Sequence, residues 1–131
     1  MSKDYLDQLY SNIKENAHKN EAFIEHLEKL FPEQSDKILE VLERGIIKYT
    51  YNPSKKVVWM VIGENKKEYL LYPRIFCSCQ DFYKNTVIKQ KRPYCKHLIA
   101  QVISEALSLY EEKKRIDDEF NHLIEKLKSK F

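Results

Sequence analysis

The sequence is short of the residues that make chains flexible or carry them into membranes. Among 131 residues there are only two glycines and four prolines, which leaves little room for flexible linkers. No run approaches the roughly 18 apolar residues that a membrane-spanning helix needs, and the N-terminal segment has no apolar core like that of a secretory signal. We therefore expect a soluble, cytoplasmic protein without membrane contacts.

Recognisable catalytic machinery is also missing. The sequence shows no paired carboxylates, no glycine-rich phosphate loop and, outside residues 77–97, no nucleophile–base pair. The length fits a single domain, and 43% hydrophobic residues with 12% aromatics indicate a folded chain rather than a disordered one. We expect a small folded protein that is not an enzyme.

Charge is distributed unevenly along the chain. The net charge is only +3. Residues 1–45 carry 6 basic and 10 acidic side chains, whereas residues 46–110 carry 11 basic and 4 acidic ones. The basic middle permits contact with nucleic acid, although a solvated lysine-rich surface would have the same composition.

The hydrophobic pattern predicts an α+β fold. Residues 1–45 carry apolar residues at helical spacing and form a helical N-terminal part, whose second helix begins after Asn20 and buries Phe23 and Ile24. Residues 46–110 begin with three β-rich segments, 46–51, 57–62 and 67–76, separated by turn sequences. These predict a small three-stranded antiparallel sheet with Trp59 in the core. Residues 111–131 are predicted to form a C-terminal helix, separate from or continuous with a helix that starts near residue 96.

All three cysteines lie between residues 77 and 97, in the sequence CSCQDFYKNTVIKQKRPYCKH. Cys77 and Cys79 form a Cys-x-Cys pair, and Cys95 and His97 form a Cys-x-His pair fifteen residues later. Three thiolates and one imidazole are the donor set of a structural zinc ion. The segment therefore predicts one structural Zn²⁺ bound by these four residues.

The two ligand pairs impose a local geometry. In an extended segment residues i and i+2 point to the same side, so Cys77 and Cys79 can converge where a strand ends. In a helix the same spacing would separate Cys95 from His97. We therefore predict that Cys95 lies just before a helix and His97 in its first turn, with Pro93 favouring that helix start.

Other interpretations of the cysteines remain. A Cys77–Cys79 disulfide would be strained and is disfavoured in a reducing compartment. A catalytic or redox cysteine with His97 as its base leaves two thiols unexplained. Buried, unreactive cysteines are common singly, so chance clustering is the remaining alternative.

The Cys-x-Cys and Cys-x-His pairs resemble the SWIM zinc-finger family. The resemblance extends to Ala100, three residues after His97, where a small residue lets the helix pack close to the metal-binding loop. The order of elements is most similar to the stand-alone SWIM subunit of Shu-type recombination complexes. This resemblance implies a non-enzymatic protein that forms a heterodimer with a RecA-like recombinase paralogue and regulates homologous recombination and DNA repair. Whether it forms a homodimer in isolation is left open.

The segment between the ligand pairs suggests a second function. Aromatic and basic side chains in one segment suit sequence-tolerant contact with single-stranded DNA. The nucleic-acid contact candidates are Lys84, Lys89, Lys91, Arg92, Lys96 and Tyr94. Phe82 and Tyr83 either pack under the finger or add to this surface. The alternative function is therefore a direct DNA-binding SWIM module of a transposase-type or regulatory protein, and single-stranded DNA is reached directly or through the protein partner.

Overall fold

The fold was obtained as a computed structural model, which describes residues 2–15, 25, 27–90 and 94–128. It has the predicted α+β composition. The helices are α1 (Ser2–Glu15), α2 (Ser35–Arg44), α3 (Lys96–Leu107) and α4 (Asp117–Lys128). The strands are β1 (Ile46–Asn52), β2 (Lys56–Ile62), β3 (Glu68–Tyr72), β4 (Phe76–Cys77) and β5 (Glu111–Ile116). Residues 27–30 are also helical, and the predicted helix start at Asn20 with Phe23 and Ile24 lies outside the described residues.

The sheet is larger than the sequence predicted. It has five strands in the order β4-β3-β2-β1-β5, with β1 to β4 pairing antiparallel and β5 parallel to β1. The predicted third strand over residues 67–76 is interrupted, because the chain turns at residues 73–75 and returns as β4. The prediction of a purely antiparallel three-stranded sheet was therefore wrong in strand number and in the direction of the last strand.

The fifth strand lies where the sequence predicted helix. Residues Glu111–Ile116 pair in parallel with β1, and Ile47 lies opposite Glu111. Their sequence EEKKRI is charged and has no strand-like alternation, but an edge strand can leave its side chains in solvent. The C-terminal helix is thus confined to α4, which begins at Asp117.

Helix α3 runs through the centre of the molecule. Nine of its 12 residues are buried, and its apolar side chains belong to one cluster with residues of α1, α2 and one face of the sheet. Trp59 of β2 is buried in that cluster, as predicted. On the opposite face of the sheet a smaller cluster, which includes Tyr51 and Met60, packs against Phe120 and Leu123 of α4. The sheet therefore lies between a three-helix layer and a single helix.

In the part of the chain that the structure describes, no helix is both long enough and apolar enough to cross a lipid bilayer.

Candidate metal centre

Strand β4 and the residue after it position the first two cysteines. Cys77 ends β4 and lies opposite Leu71 of β3. Ser78 continues the pairing, because its N–H donates to the Leu70 carbonyl at 2.9 Å and its hydroxyl accepts from the Leu70 N–H at 2.9 Å. The chain therefore stays extended through Ser78, which places Cys77 and Cys79 on the same side, as the sequence predicted.

The start of α3 positions the other two ligands. Cys95 precedes the helix with extended backbone angles (φ −84°, ψ 166°), and His97 is the second helical residue. The Cys95 carbonyl accepts the first backbone hydrogen bond of the helix from the Ile99 N–H at 3.3 Å. The predicted break between Cys95 and His97 is confirmed. Pro93, which was expected to favour it, lies outside the described residues.

These two segments bring all four predicted ligands together. One donor atom from each of Cys77, Cys79, Cys95 and His97 lies within 4.8 Å of the others, and all four residues are buried. The Cys77 Sγ and His97 Nδ1 atoms are 3.6 Å apart. Tetrahedral zinc holds sulfur at about 2.3 Å and nitrogen at about 2.0–2.1 Å, so its donors are separated by roughly 3.5–3.8 Å. The cluster can hold one such ion after the donor atoms move together by at most about 1.3 Å.

The sulfurs interact strongly with one another. Hydrogen bonds from the thiols of Cys77 and Cys95 hold the pKa of Cys79 well below its usual range. The Phe82 N–H, which donates to the Cys79 sulfur at 3.3 Å, acts in the same direction. Hydrogen bonding with Cys79 and Cys95, together with burial, raises the pKa of Cys77. A thiolate at Cys79 is thus stabilised by its neighbours, and the thiolate is the form of cysteine that binds metal.

Two neighbours of the centre were not predicted as part of it. The Tyr69 ring lies 5.0 Å from the His97 ring, centroid to centroid, and helps to fix the imidazole. The Phe82 backbone N–H supplies the hydrogen bond to Cys79. A backbone donor leaves no signal in the sequence, and Tyr69 lies outside the ligand motif, on the strand β3 that pairs with β4. Ala100, in contrast, is fully buried in α3, as its predicted packing role requires.

The predicted nucleic-acid contacts differ in how exposed they are. Lys84 and Lys89 are exposed, and Lys96 is half-buried. Tyr94 is only 3% exposed and belongs to the core, so its ring cannot stack on a nucleotide base in this structure. Lys91 and Arg92 lie outside the described residues.

The segment after Cys79 forms a π-helix over Phe82–Ile88. Its i→i+5 geometry is seen in the hydrogen bond from the Lys89 N–H to the Lys84 carbonyl, at 2.9 Å. Phe82 points inward and its ring meets that of Phe76 edge-on at 5.7 Å. Tyr83 is 61% exposed. Of the two interpretations of these aromatics, the packing one is therefore right for Phe82 only.

The chain is similar to curated proteins that carry a SWIM zinc finger. It is 29% identical over 107 residues to the zinc finger SWIM domain-containing protein 7 homolog of Dictyostelium discoideum, covering 80% of this chain and 68% of that protein. It is 26% identical over 106 residues to the human zinc finger SWIM domain-containing protein 7, covering 80% and 76% of the two chains. The Danio rerio protein of the same name matches at 22% identity over 120 residues, with 91% and 84% covered. No family model matches, and no solved structure matches significantly.

Proposed function

We propose that this chain, which is similar to proteins that carry a SWIM zinc finger and brings three cysteines and one histidine together, binds one structural zinc ion and acts as an interaction protein rather than as an enzyme. Three sulfurs and one imidazole nitrogen are a donor set typical of structural zinc. Four protein donors fill a tetrahedral coordination sphere, which leaves no position for an activated water. The ion would hold β4 against the start of α3.

The partner that we propose is a RecA-like recombinase paralogue. The pair would promote or regulate filament assembly on single-stranded DNA during homologous recombination and DNA repair. Support comes from the order of elements, which is similar to that of the stand-alone SWIM subunit of Shu-type complexes. Further support is that the match covers most of each relative's own length, 76% in the human protein. They are therefore small proteins of comparable extent.

The observation that carries the proposal is the closed, buried centre of Cys77, Cys79, Cys95 and His97, in a chain that matches those relatives along most of its length. Such a centre organises a surface and does not itself react. The chain's role is then to present that surface to another protein.

Co-expression tests this function directly. Each RecA-like paralogue encoded in the source genome would be expressed with this chain, and the mass of the purified species measured by light scattering. A stable one-to-one heterodimer with one paralogue is the expected result. A chain that stays alone, or that forms only a homodimer in the presence of every paralogue, would contradict the proposal.

Direct binding of nucleic acid is a second candidate function, favoured by the exposed side chains of Tyr83, Lys84 and Lys89. Lysines neutralise phosphates, and an exposed tyrosine ring can stack on a base. If this function holds, affinity for a single-stranded oligonucleotide should fall steeply with salt. Absence of any binding at low salt would exclude it.

A further inference from the structure

The outer face of the π-helix is apolar. Tyr83, Val87 and Ile88 are 61%, 48% and 60% exposed. In i→i+5 geometry residues four and five apart lie above one another, so these three side chains form one continuous stripe. We call Tyr83, Val87 and Ile88 the finger stripe. Single exposed apolar residues are ordinary, whereas contiguous exposed apolar residues are typical of interaction surfaces.

The finger stripe does not contribute to the core. Phe82 fills the inward position of the same turn and contacts Phe76. The Cys79 carbonyl and sulfur accept the N–H groups of Tyr83 and Phe82 and so fix the start of the turn. The π-helix is therefore anchored to the metal centre on one side, while its other side presents three large side chains to solvent.

The neighbouring β3–β4 turn also exposes apolar side chains. Phe76 contacts Phe82 and also lies 6.3 Å from Tyr72, centroid to centroid. Tyr72 and Ile75 of that turn are 40% and 69% exposed. Two segments that meet at the Phe76–Phe82 contact therefore each expose large apolar side chains.

Basic side chains outnumber acidic ones in the segment that carries the finger stripe. Residues 81–92 contain four basic side chains and one acidic one, Asp81, whose carboxylate accepts a hydrogen bond from the Asn85 amide at 2.7 Å. Of the four basic residues, Lys84 and Lys89 are exposed, one on the π-helix and one at its end. A partner that covers this surface must offer acidic groups around an apolar contact, because like charges brought into an interface are repelled.

We propose that the finger stripe is the docking surface for a protein partner that presents an apolar groove with an acidic rim. A helix face of one aromatic and two β-branched residues fits such a groove. Nucleic acid would use the lysines and the Tyr83 ring, but Val87 and Ile88 offer it neither a charge nor a stacking plane. The proposal rests on the proposed function, since it assigns to the recombinase-type partner the surface on this chain that it contacts.

The experiment compares matched pairs of substitutions. In the test variant, Val87→Ser is combined with Ile88→Ser. In the control, Leu109→Ser is combined with Ile116→Ser, which removes two apolar side chains that are 55% and 56% exposed elsewhere. A third variant, Lys84→Glu with Lys89→Glu, reverses the charge beside the stripe. Zinc content and melting temperature are measured for all variants, so that a loss of folding is recognised.

The probe is the purified RecA-like paralogue that forms a complex with the wild-type chain, and its Kd is measured by calorimetry. The test variant should bind at least tenfold more weakly with its zinc content unchanged. The charge-reversed variant should bind more weakly than the wild type, with an affinity that rises with salt, because its glutamates repel the acidic rim. The control should bind like the wild type. Equal binding by the wild type and the test variant overturns this inference alone.

Two further outcomes also overturn the inference. If the wild type binds no RecA-like paralogue, the proposed partner and this surface assignment both fail. If the test variant keeps its protein partner but loses affinity for a single-stranded oligonucleotide, the finger stripe belongs to a nucleic-acid site. Neither outcome can be mistaken for selective weakening of the protein complex.

Discussion

The Cys77 Sγ and His97 Nδ1 atoms lie 3.6 Å apart although the two residues are 20 positions apart in the chain. One residue ends a strand and the other opens a helix. A metal ion held between them would therefore join the sheet to the central helix α3. Since α3 also packs against α1 and α2, we expect loss of this junction to destabilise the whole helical layer.

Replacing one ligand should destabilise the protein strongly. Cys95→Ala removes a fully buried sulfur, and structural zinc sites contribute binding free energies on the order of 10 kcal/mol. We expect the free energy of unfolding to fall by about 3 kcal/mol or more, measured by thermal unfolding followed by circular dichroism.

Ser78→Ala is the matched control, because Ser78 lies between the ligands Cys77 and Cys79 but contributes no ligand atom to the metal centre. It loses the hydrogen bond between the Ser78 hydroxyl and the Leu70 N–H, which should cost about 1 kcal/mol. Zinc content should be unchanged. A Cys95→Ala protein as stable as Ser78→Ala would mean that the centre does not hold the fold together.

Ala100 should tolerate no larger side chain. It is fully buried within α3, so Ala100→Leu inserts atoms into a packed site and should cost about 1–3 kcal/mol. Leu109→Ala, at a position that is 55% exposed, should change stability by less than about 0.5 kcal/mol. Both changes in the free energy of unfolding would be measured by urea unfolding. If Ala100→Leu proves as mild as Leu109→Ala, the close approach of α3 to the metal-binding loop is not required.

The metal centre was predictable because its determinants are local. Cys77 ends a strand and Cys79 follows two residues later, and Cys95 lies just outside the helix that carries His97, so residue spacing and a helix start suffice. The surroundings of the centre were not predictable in the same way. Tyr94 is an aromatic residue with basic residues on both sides in the sequence, which is typical of a nucleic-acid contact. It is nevertheless buried, because burial depends on how elements distant in the chain pack together.

The β1–β2 turn and the start of α4 should depend on Asp117. Its carboxylate accepts hydrogen bonds from the Ser54 hydroxyl at 2.7 Å and from the Ser54 N–H at 3.2 Å. Asp117→Ala should therefore lower the free energy of unfolding by about 1 kcal/mol. Asp118→Ala is the control, since Asp118 is in the same first turn of α4 and is exposed. Equal effects of the two substitutions in urea unfolding would show that only the helix end, and not the contact to Ser54, matters.

The strand before Asp117 shows why the sheet was underestimated from the sequence. Glu111–Ile116 has charged residues at five of six positions, a pattern that predicts helix or loop rather than strand. It becomes a strand because β1 leaves an edge open and accepts it in parallel. The strand ladders within residues 46–72 were predicted because short turns connect them, whereas pairing across about sixty residues leaves no local signal.

Alkaline pH should destabilise the protein through Tyr51. Burial, followed by the charge of Tyr49, raises the pKa of Tyr51 from its ordinary value of 10.0. A group whose pKa is raised on folding contributes stability that is present below its unfolded pKa and is lost as the pH rises through its folded pKa. The free energy of unfolding should therefore fall above pH about 10. The Tyr51→Phe variant should lose less stability than the wild type over the same pH range.

The measurement is the melting temperature at pH 7 and at pH about 10.5 for both proteins, with the pH 7 values correcting for the loss of the hydroxyl. An equal fall in both proteins would show that burial of Tyr51 does not set the alkaline limit.

The central claim is that Cys77, Cys79, Cys95 and His97 bind one structural zinc ion. The most direct test is the zinc content of the wild-type chain, purified without chelators and measured by inductively coupled plasma mass spectrometry against protein concentration from amino-acid analysis. One zinc per chain, lost in Cys95→Ala, is the result that we predict. Well under one zinc per folded chain, or an equal content in Cys95→Ala, would contradict the account.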